Sequence, residues 1–132
     1  MNIALWVIAG LLAAVYFTVG CVKLLRGKAL EQRMPWVEAF PGVVVRFIGL
    51  CEIAGALGLI LPQATGEHVW LTPTAAACLA LLQLLAILVH TRRGETQQLG
   101  VNIVLLVLAL VVAVGRFAEW TTANAAALPP AT

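Results

Sequence analysis

The chain has 132 residues, of which 62% are hydrophobic and 11% charged, with a formal net charge of +2. Soluble domains run about 45–50% apolar and about 25% charged, and a domain this small has too little interior to hide the excess. Composition therefore excludes a soluble enzyme, an intrinsically disordered chain and a nucleic-acid module, and points to an integral membrane protein.

The first apolar stretch, Ile3–Val22, follows Met1 and Asn2, with no basic residue before it. It lacks the basic start and small-residue cleavage site of a secretory signal, so it is expected to be a retained helix. In the connection Lys23–Gly42, residues Lys28–Met34 are compatible with two helical turns before Pro35, and Trp36 and Phe40 follow at i,i+4. That pattern predicts a segment lying along the membrane surface, with a solvated loop as the plainer alternative. The second stretch, Val43–Leu61, is bracketed by Pro41-Gly42 and Pro62. After the short Pro62–Val69 loop comes Trp70–Val89, where Thr72 reads as an N-cap and Pro73 as a first helical position. The fourth stretch is Leu99–Gly115, and residues 118–132 form an Ala/Thr/Pro-rich tail expected to be flexible.

Each stretch is 17 to 20 residues long, against the roughly 17–25 that cross a hydrocarbon core as a helix. Continuous apolar runs such as Val101–Val114 exclude the alternating pattern of barrel strands. The expected fold is all-α: one four-helix transmembrane bundle over residues 1–117. Seven of the eight Lys and Arg residues flank the first and third connections, and only Arg116 lies beyond the fourth stretch. By the positive-inside bias, those two connections face the cytoplasm and both termini lie outside. Trp36, Trp70 and Trp120 fall near the expected interfaces, where indole is favoured.

Cys21, Cys51 and Cys78 all lie within spans. Their odd count and spacing argue against a disulfide framework or a cysteine metal site, and small polarizable packing residues remain. Gly10 with Ala14, and Gly49 with Ala56, place small residues on single helix faces, as close helix packing in lipid requires.

The polar residues inside the spans carry the functional signal. Glu52 is the central residue of the second span, where a charge costs about 2.5–3.5 kcal/mol on insertion scales and so calls for a partner, a proton or a wet cavity. Gln83 lies near the middle of the third span and His90 seven residues later on the same face; Asn102 opens the fourth span; Lys23 ends the first; Arg46 begins the second. Lys23, Arg46, His90 and Asn102 thus fall at the cytoplasmic ends of four helices, with Glu52 and Gln83 deeper. If those faces converge, they line a cytoplasm-facing polar pocket with a carboxylate at its floor. The bland readings are snorkelling for Lys23 and Arg46, an ordinary interfacial residue for His90, and interhelical hydrogen bonding for Gln83 and Asn102. No metal-ligand cluster is expected.

Several pieces taken together resemble the DoxX family, especially its DoxX-like branch. They are Trp36-Val-Glu-Ala-Phe-Pro-Gly42, the run Ile48–Pro62, Lys23 after Gly20, His90 before an Arg-Arg-Gly-Glu turn, Asn102, and Gly115-Arg116-Phe117. The resemblance spans Ile3 to Phe117 and implies a small four-span protein of the bacterial inner membrane, with Lys23, Glu52, His90 and Asn102 in the family's recurring polar pattern. It also implies association with thiosulfate:quinone oxidoreduction or with thiol-stress partners, and a distant similarity to a chaperone of nicotinic receptor assembly. The chain shows no haem ligand pair, nucleotide motif or usable cysteine pair, so an autonomous enzyme is disfavoured. The leading expectation is an accessory or assembly protein that binds lipid-like small molecules, another membrane protein or a second copy of itself. A quinone-linked redox subunit, with quinone as its cofactor, and a small proton-coupled transporter are the alternatives. No nucleic-acid partner is expected.

Overall fold

A computed structural model describes residues 2–130, and in it four long helices account for most of the chain: α1 (Asn2–Arg26), α2 (Gly42–Thr65), α3 (Leu71–Arg93) and α4 (Thr96–Ala127). All four are long and apolar enough to cross a membrane. In a medium without water a helix satisfies its own backbone polar groups, which is why such sequences take this form. α1 packs chiefly on α2 and α3 on α4, while α2–α3 and α1–α4 contacts close the ring. Ala9, Leu12, Leu59, Ala76, Leu79, Ala109 and Val112 are fully or almost fully buried along its axis. Leu11, Phe47, Leu81, Leu85, Val104 and Leu110 point outward. A chain apolar on both its inner and outer surfaces is the expected solution for a bundle solvated by lipid.

The two ends of the bundle differ. At one, the α1–α2 and α3–α4 connections meet through a hydrogen bond from Arg93 Nη2 to the Pro35 carbonyl, 2.9 Å. At the other, Arg116 of α4 reaches Asn2 at the start of α1. The first connection is a folded cap built from two short 3-10 helices, Gly27–Leu30 and Pro35–Ala39. Leu30 and Val37 are fully buried against Val45. The expected two turns over Lys28–Met34 are therefore shortened: the residue before a proline is pushed out of helical conformation, and Met34 sits at φ −127°, ψ 88°.

Other boundaries moved for local reasons. α2 runs through Pro62, which membrane helices tolerate, to Thr65 and ends where Gly66 turns left-handed. α3 begins at Leu71, and Thr72 makes no capping bond; its side chain is fully buried. Residues 118–127, expected as flexible tail, are the last turns of α4. Alanine is the strongest helix former, and the helix stops at Leu128, which is extended ahead of Pro129. Positions 131 and 132 of that tail lie outside the described residues.

Candidate functional site

The cross-over of α1 and α2 builds the centre of the site. Gly20 and Gly49 face each other: a Cβ on Gly20 would lie 2.7 Å from the Gly49 carbonyl oxygen, and one on Gly49 would lie 2.6 Å from the Gly20 carbonyl oxygen. Only hydrogen fits on either side. One turn from each glycine stand Lys23 and Glu52, so the close approach of the backbones brings these two side chains together. Lys23 Nζ donates to Glu52 Oε1 at 2.6 Å, and the two residues are only 8% and 5% exposed. The second carboxylate oxygen, Oε2, is buried and accepts no hydrogen bond from the protein.

The cap closes over this pair. The Trp36 ring stands 5.2 Å from the Lys23 ammonium, a cation–π distance, and Phe40 packs edge-on against Trp36 at 5.9 Å. Deeper in the bundle, Gln83 Nε2 donates to the Tyr16 hydroxyl at 2.7 Å, joining α3 to α1 across the core. Gln83 Oε1 and Asn102 Nδ2 are buried without a partner.

A second polar group sits at the same end, where α3 turns into α4. Gly94 adopts the left-handed conformation, φ 71°, a conformation that glycine reaches at no steric cost and that commonly ends helices. The reversal returns Glu95 to the last turn of α3. There His90 Nδ1 lies 2.7 Å from Glu95 Oε2, and Arg93 Nε donates to Glu95 Oε1 at 2.7 Å. Arg93 also holds the cap, through the Pro35 carbonyl and the Glu38 carboxylate at 3.6 Å. The hydrogen bond from Arg93 holds the Glu95 carboxyl below its ordinary pKa, against the opposing effect of desolvation, and the His90 contact acts in the same direction. A cavity of about 250 Å³ lies beside this turn, lined by Pro35, Glu95 and Gln97 among others.

Of the six residues singled out in the sequence, the structure joins Lys23 to Glu52. It buries Gln83 and His90 with other partners and leaves Asn102, a half-buried residue, with its Nδ2 buried and unpartnered. Arg46 is exposed and lies along Gly27 rather than toward Glu52. The expected open pocket is closed here, because Trp36 and the cap cover the ion pair; Glu52 does not line the cavity beside Glu95. Tyr16, Trp36 and Glu95 are the participants that residue-by-residue reading passed over. Tyr16 shares the helix face of Gly20 and Lys23, a signal present in the sequence, whereas the return of Glu95 depends on the Gly94 turn. Cys21, Cys51 and Cys78 are free. Among the described residues no three His, Cys, Asp or Glu side chains gather as a metal site.

The arrangement offers one anionic acceptor with a vacant lone-pair side, one ammonium with further donors, and the neutral Gln83 amide deeper in the core. It suits a molecule that both donates and accepts hydrogen bonds in an apolar setting. Compared with known proteins, residues 7–112 match the DoxX-like family. Neither a curated protein nor a solved structure matches the chain.

Proposed function

The chain belongs to the DoxX-like family, and from that premise we propose that it is an accessory protein of the bacterial inner membrane that binds a lipid-like small molecule at the Lys23–Glu52 pair. The observation that carries this reading is the Glu52 Oε2 atom, buried without a partner beside a paired ammonium. A buried ion pair stabilises a fold no better than well-packed apolar residues of similar size, so fold stability alone does not account for it. A ligand hydroxyl donating to Oε2 and a ligand carbonyl accepting from Lys23 Nζ use the groups that the fold leaves underused.

The seven basic residues around the capped end support a cytoplasmic position for that end, with the termini outside. The cap is then the door. It consists of short 3-10 segments joined to α3 by Arg93, so displacing Trp36 opens the pair without disturbing the four helices. An apolar layer of Leu12, Leu59, Leu79 and Val112 separates the pair from the opposite end, which favours a binding site over a conducting path.

The test is mass spectrometry of small molecules that co-purify from native membranes under mild detergent, comparing wild type with Glu52→Gln. Wild type should retain a lipid-soluble compound, and the variant should lose it about tenfold or more, the scale of one hydrogen bond to a charged group. A quinone among the retained compounds would assign the redox-subunit role. Identical compounds in identical amounts from both proteins would refute the binding site.

A further inference from the structure

At the end of the bundle opposite the capped pair, α4 buries an arginine. Arg116 is 2% exposed, and the Trp6 ring stands 5.3 Å from its guanidinium carbon. Its Nη1 donates to the Asn2 carboxamide oxygen and, at 2.7 Å, to Glu119 Oε2. The other two nitrogens, Nε and Nη2, are buried and have no partner. These two share one edge of the planar guanidinium, and that edge presents parallel N–H groups to both oxygens of a phosphate or carboxylate. Thr72, fully buried in the first turn of α3, also leaves its hydroxyl unpartnered. A buried arginine with its two-donor edge unused costs several kcal/mol of unmet hydration unless something accepts from it.

An apolar groove lies at the same end of the bundle, lined by the residues that follow Thr72 and Arg116 in sequence. Pro73 follows Thr72 and Phe117 follows Arg116, and together with Trp70, Ala77, Ala113 and Trp120 they line a groove of about 690 Å³ between α3 and α4. Trp70 and Trp120 are the residue type that anchors at headgroup level.

We propose that this end of the bundle binds an acidic lipid, its phosphate on the Nε–Nη2 edge of Arg116 and an acyl chain in the α3–α4 groove. The charge of the orphaned edge selects an anion, and the apolar groove at the same end of the bundle selects one that carries a hydrocarbon tail. Glu119 acts as the internal anion that neutralises Arg116 until the lipid arrives; its side chain is 37% exposed and is able to turn out to the headgroup level. The site is separate from the Lys23–Glu52 pair and does not depend on what that pair binds.

Native mass spectrometry of the full chain from nanodiscs of phosphatidylcholine doped with phosphatidylglycerol tests this. Wild type should retain phosphatidylglycerol in preference to phosphatidylcholine, and Arg116→Gln should reduce that retention about tenfold, as expected for loss of a charge-assisted contact. Arg116→Lys, which keeps the charge but not the fork, should fall between them. Glu119→Gln should raise retention several-fold by removing the competing carboxylate, a gain that a merely structural role for Glu119 does not produce. Retention that is equal in wild type and Arg116→Lys, or that falls in Glu119→Gln, would overturn the proposal. Displacement of the lipid by millimolar inorganic phosphate would assign the edge to a free anion and overturn the lipid as its source.

Discussion

Cutting the Lys23–Glu52 pair from either side should be far worse than removing both charges. At 2.6 Å and an effective dielectric near 20, the attraction is about 6 kcal/mol. Desolvating two ions opposes most of that, at several kcal/mol each. The side chains keep only 10% and 7% of their surface accessible, so water does not rescue a lone survivor. Lys23→Met should therefore cost about 3–5 kcal/mol, because it leaves a buried carboxylate alone, and Glu52→Gln a comparable amount. The double variant Lys23→Met/Glu52→Gln should cost less than either single change. Reversible unfolding in detergent micelles, run as a double-mutant cycle at low and high salt, measures this. Salt should matter little, since a buried pair is poorly screened. Two single effects that simply add, within about 0.5 kcal/mol, would show that the two residues do not act as a pair and would refute the geometry.

Two further outcomes follow from the packing and the cap. Gly49→Ala puts a methyl 2.6 Å from the Gly20 carbonyl oxygen and should lower stability by about 1–3 kcal/mol, as overpacking does. Gly10→Ala, where nothing lies within 4 Å, should be neutral or slightly stabilising through helix propensity; a thermal-shift comparison of the two decides. Because Glu95 is held below its ordinary pKa, chiefly by Arg93, its ionised form favours the closed cap. That contribution is present above the ordinary carboxylate range and is lost as pH falls through the lowered folded value. Trp36 fluorescence, read in a chain whose other tryptophans are phenylalanine, should report cap release on acidification. Glu95→Gln should release the cap at neutral pH and flatten the profile; an unchanged profile in that variant would remove Glu95 from the latch.

Much of the fold was legible without coordinates, because the bilayer imposes one rule on every residue of a span. Four stretches of sufficient length and apolarity admit only four helices, and an acid at the centre of one of them marks itself as exceptional. The helix ends were less legible. Thr72 and Pro73 look like a start signal, yet α3 begins two residues earlier and takes the Thr72 side chain inward. The alanine-rich tail looks loose, yet its intrinsic propensity carries α4 on to Ala127.

The candidate site divides along the same line. Glu52 stood out by itself, since the penalty on a charge in hydrocarbon is a property of one residue and its depth. Its partner was not fixed that way: Arg46 lies six residues away on the same helix, whereas Lys23 ends a different span. Only the Gly20–Gly49 crossing selects Lys23 and sends Arg46 outward. Arg116 shows the reverse case. In sequence it is the ordinary basic residue that follows a span. In three dimensions it is buried under Trp6, with one edge of its guanidinium unused. Composition and depth determined that this chain lives in a membrane and where its costly charges fall. Which charges meet, and which are left with donors or acceptors to spare, was decided by helix-to-helix contacts between residues far apart in sequence.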